Sequence, residues 1–143
     1  MDGGEKGMAL DAFLKQNKKK SENVKIAASP DFVNEKGDVI EWEIRPLRTK
    51  EAEKIRSACS SYGKGGKVTV NQALFNQMVA ARCTVYPNLN DQELQDSYGV
   101  MGEEDLICEL LDKDGVFQTY VKKCLTISGY AESDAELVED AKN

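Results

Sequence analysis

Residues 85–130 constrain the fold of this chain most, because they divide into three short helices separated by tight stops. At the start of the first helix, Asn90 and Glu93 have the spacing of a capping box, in which two side chains satisfy backbone groups reciprocally. Gly99 lies where a left-handed residue commonly ends a helix. The stretch therefore predicts a helical unit, and it carries no obvious catalytic residues.

The second and third helices carry most of the apolar residues of this stretch. The second opens at Gly102 with three carboxylates in its first turn, where negative charge suits the helix dipole: Glu103, Glu104 and Asp105. Metal binding by these acids is the alternative, but consecutive helical residues point in different directions. The third helix is predicted over about residues 116–128, with one broad apolar face: Phe117, Tyr120, Val121, Cys124, Leu125 and Ile127.

Residues 24–47 have the pattern of a β-hairpin. Asn34 and Gly37 lie between two apolar runs and supply turn chemistry. In the second run, Ile40, Trp42 and Ile44 alternate with charged residues, as in a strand with one buried face. Because a lone hairpin is marginally stable, the helices must cover this face. We therefore expect Trp42 in the core, with ligand stacking as the alternative.

Helical spacing elsewhere in the chain completes the predicted fold. Leu10, Phe13 and Leu14 predict a short helix over about residues 9–16, and two longer helices are predicted over residues 50–62 and 72–83. The predicted fold class is α+β and mainly helical, with an N-terminal β-hairpin packed against a cluster of about five short helices.

The chain has 143 residues, the size of one domain. Residues 1–8 are small and polar and are expected to be disordered, whereas residues 131–143 are expected to form an acidic mobile tail. A single globular domain is expected over residues 9–130. Its first part, 9–46, contains the helix and the hairpin, and its second part, 47–130, is helical.

The charge balance argues against several classes of partner. A net charge of -6 and a pI near 4.8 oppose general affinity for nucleic acid or anionic membranes. The lysines at 18–20 are predicted to form a solvated linker rather than a nucleic-acid contact, since no aromatic residue lies between them. No apolar run reaches the roughly 20 residues of a membrane span, and the N-terminus lacks a signal-peptide pattern. We expect a cytoplasmic protein without nucleic-acid or membrane partners.

The chain contains no histidine, the commonest general base and the commonest metal ligand. Its four cysteines are widely spaced and form no CxxC pair, so we expect buried reduced thiols rather than a zinc site or disulfides. The remaining candidate side chains show no catalytic spacing. The sequence therefore predicts no enzyme activity, no cofactor and no metal.

Two loops resemble ligand-binding motifs without matching them. The glycine-rich loop at 63–67 would need a glycine where Ser61 stands to form a phosphate-binding loop. The loop at 112–115 would need a glutamate where Lys123 stands to form a calcium-binding loop. Both are predicted to be connectors.

Three segments of the chain resemble the XkdN-like family of phage tail assembly chaperones: LDAFLKQN, the WEI strand, and YPNLNDQELQDSYGV before GEEDLICELL. The resemblance covers about residues 8–130, and its most specific piece is 87–100. It implies a protein encoded among the tail genes of phages and phage-like elements. Such a protein is expected to bind the tape measure protein and to keep its long helices soluble until the tail tube polymerises.

The resemblance implies further partners as well. In many tail assembly chaperones a ribosomal frameshift yields a longer form with an added C-terminal domain, so this chain would be the shorter product. Association with that longer form, or into a homo-oligomer, is a further expectation. The alternative function is a structural tail or completion protein that oligomerises and stays in the particle.

A chaperone of this kind needs an apolar groove with a charged rim. We place it on the helices of residues 90–128, which carry more apolar side chains than a small core needs. For each predicted contact, packing in the core is the alternative. The predicted partner contacts are Leu89, Leu94, Tyr98, Val100, Leu110 and Phe117.

Overall fold

The computed structural model describes residues 9–131. The predictions of a disordered N-terminus at 1–8 and of a mobile tail fall on residues outside this range, apart from Ala131. The described strands are β1 (Val24–Ile26), β2 (Trp42–Ile44), β3 (Ser60–Tyr62), β4 (Val68–Val70) and β5 (Thr84–Tyr86). The longer helices are α1 (Thr49–Cys59), α2 (Gln72–Cys83), α3 (Gln92–Tyr98), α4 (Glu103–Leu110) and α5 (Asp114–Ile127).

The predicted hairpin is present and forms two strands of a three-stranded antiparallel sheet with the order β1-β2-β5. Its turn is built by Asn34, whose side-chain oxygen accepts hydrogen bonds from the backbone N–H groups of Lys36 and Asp38 at 2.9 and 3.0 Å. In the central strand, Ile44 lies opposite Val24 on one side and Thr84 on the other. The sequence did not predict β5 as a partner of the hairpin.

The core lies between this sheet and the helices, with α2 at its centre packing against α1, α4 and α5. Trp42 is only 2% exposed and meets the Tyr120 ring edge-on at a centroid distance of 5.5 Å. The predictions of a mainly helical α+β fold and of Trp42 in the core are therefore confirmed. Packing by the helices also explains how strands of three residues are stable.

A hydrogen-bond chain around the buried Tyr120 connects three elements of the core. The Thr84 hydroxyl donates to the Ala80 carbonyl at 2.7 Å and lies 2.6 Å from the Tyr120 hydroxyl. Because the single Thr84 proton is used on Ala80, Tyr120 donates to the Thr84 oxygen. These hydrogen bonds connect α5 to β5 and α2.

The second hairpin, β3 with β4, corrects the predicted helix at 50–62. The helix α1 ends at Cys59, and residues Ser60–Tyr62 pair with Val68–Val70. Gly65 and Gly66 reverse the chain with φ of 74° and 76°, a region that favours glycine. Tyr62 has helical spacing from the buried Cys59, but it is 81% exposed, since no described element covers it.

The N-terminal arm, defined as residues 9–20, also differs from the predicted helix at 9–16. The chain is helical at 9–11 and forms a 3₁₀ turn at Lys15–Asn17. Every residue of the arm is exposed, including Phe13 at 84% and Leu10 at 65%. Apolar spacing alone does not stabilise so short a helix when no described element packs on it.

The four cysteines are free thiols, and three of them are buried as predicted: Cys59, Cys83 and Cys124. The prediction is wrong for Cys108, which is half-buried on α4. Cys83 and Cys124 are hydrogen-bonded to each other, and this bond together with burial raises the pKa of the Cys124 thiol.

Candidate partner-binding surface

The helix α3 is fixed at both ends by local chemistry. At its start the Asp91 carboxylate accepts a hydrogen bond from the Leu94 backbone N–H at 2.9 Å. The predicted cap at Asn90 is wrong by one residue, because Asn90 lies in a turn where its N–H is bound by the Asn88 side chain. At the other end Gly99 has φ of 65° and closes the helix, as predicted.

Gln95 braces the turn between α3 and α4. Its side-chain N–H donates to the Leu89 carbonyl at 2.8 Å, and its side-chain oxygen accepts from the Gly102 N–H at 3.2 Å. One amide therefore holds the entrance of α3 and the turn at 99–102 in a fixed relation. Sequence analysis did not find this role, because a polar residue inside a helix carries no signal of its distant partners.

The structure divides the six predicted contact residues into two groups. Three are buried in the core, with exposed fractions of 3–8%: Leu89, Leu110 and Phe117. The other three lie on or beside α3 and reach the surface, where Tyr98 is 36% exposed and the other two are half-buried: Leu94, Tyr98 and Val100.

Met101 adds a fourth apolar side chain at this place and is 89% exposed, the highest fraction among the exposed large apolar residues. Sequence analysis missed it because a single methionine in a turn has no periodicity. We call Leu94, Tyr98, Val100 and Met101, with the carboxylates of α3 and α4, the α3–α4 surface. Methionine suits such a surface, since its flexible side chain adapts to partners of different shape.

The segment that carries the α3–α4 surface has charge of one sign. The chain contains no lysine or arginine between Arg82 and Lys113, whereas the same segment contains eight carboxylates. A count of charges along the sequence would have found this segment. Its carboxylates are Asp91, Glu93, Asp96, Glu103, Glu104, Asp105, Glu109 and Asp112.

A second exposed apolar surface lies on the β3–β4 hairpin. Tyr62 pairs with Val68 across the two strands, so their side chains share a face, and Val70 lies on the same face two residues further. The exposed fractions are 81% for Tyr62, 52% for Val68 and 50% for Val70. The charge here is opposite to that of the α3–α4 surface, since the loop carries Lys64 and Lys67 and no acid.

The best-formed cavities among residues 9–131 give no indication of a small-molecule site. Three shallow cavities have volumes of about 210, 290 and 250 Å³, below the roughly 300–1,000 Å³ of typical ligand pockets. No group of three or more metal-ligating side chains occurs within residues 9–131. No helix in that part of the chain is long and apolar enough to cross a membrane.

The ion pair between Arg45 and Glu51 stabilises the fold. The Arg45 guanidinium donates two hydrogen bonds to the Glu51 carboxylate at 2.9 and 2.6 Å, and the Arg48 N–H donates to the same carboxylate at 3.1 Å. These contacts hold the pKa of Glu51 at about 2. The pair joins the end of β2 to the first turn of α1.

Comparison with known proteins places these features in a family. A family model described as phage XkdN-like tail assembly chaperone protein matches residues 10–142. The chain is similar to the phage-like element PBSX protein XkdN of Bacillus subtilis strain 168, with 23% identity over 138 residues, 94% of this chain and 93% of that protein. It is also similar to the uncharacterized protein YqbN of the same strain, with 24% identity over 143 residues, 97% of this chain and 96% of that protein.

A solved structure supports the fold. The crystal structure of the protein YqbN superposes with a TM-score of 0.73 at 19% identity, over 84% of this chain and 95% of that chain. The mainly helical α+β architecture is therefore shared with a known structure.

Proposed function

Because this chain belongs to the family of phage XkdN-like tail assembly chaperone proteins, we propose that it binds the tape measure protein through the α3–α4 surface. This binding keeps the tape measure protein soluble during tail morphogenesis. The family is one of chaperones and not of enzymes, and the bound partner is a protein segment rather than a small substrate. Binding takes place in the cytoplasm of the bacterial host.

The observation that carries the proposal is the exposure of Tyr98 and Met101 inside a segment that has carboxylates but no basic side chain. A long helix with an apolar stripe aggregates when it is left uncovered, and an apolar surface can cover part of that stripe. The carboxylates select for lysine and arginine beside the stripe and speed association. The partner segment is therefore an amphipathic helix with basic flanks.

The six predicted contacts take two roles in this proposal. Leu94, Tyr98 and Val100 contact the partner directly, together with Met101. Leu89, Leu110 and Phe117 lie beneath in the core and set the position of α3 and α4. The Gln95 hydrogen bonds keep the turn at 99–102 in the binding conformation before the partner arrives, which lowers the entropic cost of association.

Co-expression tests the proposal. The chain is produced with the longest protein encoded in the same tail gene cluster, and the soluble fraction is purified through a tag on the chain. The proposal predicts that the long protein becomes soluble and co-purifies. If the long protein stays insoluble in the presence of excess folded chain, the proposal is wrong.

The β3–β4 hairpin favours a second candidate, a structural tail or completion protein that oligomerises and stays in the particle. Its exposed face of Tyr62, Val68 and Val70 and its unpaired strand edges could join copies. Mass spectrometry of mature particles separates the two functions. A chaperone is absent from them, and a structural component is present in stoichiometric amounts.

We also propose that a longer frameshifted form of this chain exists and associates with it. The proposal rests on family membership alone. Mass spectrometry of the tail cluster products tests it, because a peptide that crosses the frame junction appears only if the longer form is made.

A further inference from the structure

We propose that the N-terminal arm of one copy, residues 9–20, docks on the α3–α4 surface of a second copy. The inference rests on the proposed function for the identity of the surface. It goes further by giving that surface an occupant before the tape measure protein binds. The chaperone thereby covers its own apolar surface with a segment that the tape measure protein can displace.

Within residues 9–131, nothing outside the arm covers its apolar side chains. Leu10, Phe13 and Leu14 are 65%, 84% and 38% exposed. Every hydrogen bond that the structure gives to residues 9–20 lies within that segment, such as the one from the Asn17 side chain to the Asp11 carbonyl at 2.7 Å. The family match nevertheless begins at residue 10 and includes the arm. The arm is therefore an element of the family whose apolar side chains are not used inside the described fold.

Charge determines which exposed apolar surface the arm fits. The arm carries four lysines and one aspartate, a net charge of +3: Lys15, Lys18, Lys19 and Lys20 against Asp11. The α3–α4 surface lies in the segment of eight carboxylates without a base, so it attracts the arm. The β3–β4 hairpin carries Lys64 and Lys67 without an acid, so it repels the arm.

The sheet topology favours docking on a second copy over docking on the same chain. Both β1 and β5 are antiparallel to β2, so they run in the same direction. The arm lies before Val24, the first residue of β1. Val24 and Thr84, the first residue of β5, both lie opposite Ile44 of β2. The helix α3 follows the other end of β5. The arm and α3 therefore leave the sheet at opposite ends.

Residues 21–23 connect the arm to β1 and are exposed along their whole length. Three extended residues span up to roughly 10 Å, so the arm can turn away from its own sheet and reach a molecule packed beside it. An arm that docks on a surface of a second copy gives either a two-fold dimer with reciprocally exchanged arms or, where each arm docks on a further copy, a larger ring or filament. Mass above that of the monomer is therefore part of the inference.

Sedimentation velocity of the full chain over a concentration series tests the inference with two defective variants. Phe13→Asp removes the central apolar contact of the arm, and Met101→Lys places a repulsive charge on the acceptor surface. Both side chains are almost fully exposed, so the fold tolerates the changes. Tyr62→Ser is the matched control, because it removes an equally exposed aromatic side chain from the hairpin.

Wild type and Tyr62→Ser are expected to form dimers or larger assemblies as concentration rises. Each defective variant is expected to need about tenfold higher concentration or more to reach the same degree of assembly. An equimolar mixture of the two variants forms heterodimers, since one supplies an intact arm and the other an intact surface. Added salt weakens assembly, because part of the attraction is between exposed charges.

Three results would overturn the inference. The first is that the wild type stays monomeric at every concentration, as it would if the arm docked on its own chain. The second is that Phe13→Asp assembles like the wild type. The third is that the mixture gives no heterodimer. Failure of the proposed function is distinguishable from these results. In that case the wild type assembles through its arm but does not capture the tape measure protein.

Discussion

The Gln95 side-chain oxygen accepts a hydrogen bond from the Gly102 backbone N–H at 3.2 Å, and this contact joins α3 to the start of α4. The other end of the same amide donates to the Leu89 carbonyl at 2.8 Å. The side chain of Gln95 thereby fixes the turn that carries Met101. Gln95 therefore controls the shape of the α3–α4 surface.

Gln95→Ala is expected to destabilise the protein by about 1–2 kcal/mol, since two partly buried backbone groups lose their partner. Urea unfolding followed by the fluorescence of the single tryptophan measures the loss. Amide hydrogen exchange of Gly102 should accelerate in the variant.

Gln92→Ala on the same helix is the control. The Gln92 side chain bonds Asp96 at an exposed site, so the change in stability should stay within about 0.5 kcal/mol. Equal effects of the two substitutions would show that Gln95 has no special role.

The pair of Arg45 and Glu51 gives a pH-dependent prediction. The pKa of Glu51 is lowered from 4.5 to about 2 in the folded protein, so the carboxylate contributes its full stabilisation above about pH 4.5. The contribution is lost as the pH falls from there towards 2. Glu51→Gln should therefore destabilise the protein by about 1 kcal/mol at pH 7, and the difference should shrink below about pH 3.

Glu53→Gln controls for a general charge effect on α1. Glu53 makes an exposed ion pair with Lys50 at 3.6 Å, which contributes little. A stability difference between Glu51→Gln and wild type that is independent of pH would contradict the assigned ionic role.

Tyr120→Phe tests the hydrogen-bond chain around Tyr120. The substitution removes the donor to Thr84 but keeps the ring that packs on Trp42. We expect a loss of about 1–2 kcal/mol in the free energy of unfolding. Tyr98→Phe at the surface should cost under about 0.5 kcal/mol. If both variants unfold at the wild-type urea concentration, the Tyr120 hydroxyl does not contribute to stability.

Much of the fold was predictable where a local pattern and its tertiary environment agree. The alternation of Ile40, Trp42 and Ile44 predicted a half-buried strand, and this strand is the centre of the sheet. The short helices after residue 85 were also predicted, because capping residues and glycines mark their ends.

The missed elements depend on distant partners. Thr84 pairs with Ile44, forty positions earlier, and no local pattern records that pairing. Tyr62 has helical spacing from Cys59, yet the glycine turn after it brings Val68 back as a strand partner. The arm shows the converse case, since Leu10 and Phe13 have helical spacing but no described element covers them.

The exposure of the six predicted contact residues could be predicted from the sequence only in part. Leu110 and Phe117 have the same helical periodicity as a surface stripe would have, and only the packing of α2 against α4 and α5 shows that they are buried. Met101 has no periodic neighbours, so its exposure became visible only in three dimensions. The absence of basic residues from 83–112 was present in the sequence throughout.

The cysteines provide a prediction about native accessibility. Under native conditions a thiol-alkylating reagent should modify Cys108 first, because the other three thiols are buried. Burial, together with Asp105 and Glu109, raises the pKa of the Cys108 thiol, so its modification should accelerate as the pH rises above 8. Peptide mass spectrometry gives the order of labelling. Modification of Cys83 or Cys124 before Cys108 would contradict the packing of the core.

We propose that the α3–α4 surface binds the tape measure protein. The most direct test compares its capture by wild-type chain, by Met101→Lys and by the control Tyr62→Ser in the same co-expression experiment. The claim predicts that Tyr62→Ser captures as much as wild type and that Met101→Lys, although folded, captures about tenfold less or none. Capture by Met101→Lys at the wild-type level, with loss in Tyr62→Ser, would place the binding surface on the β3–β4 hairpin and contradict the claim.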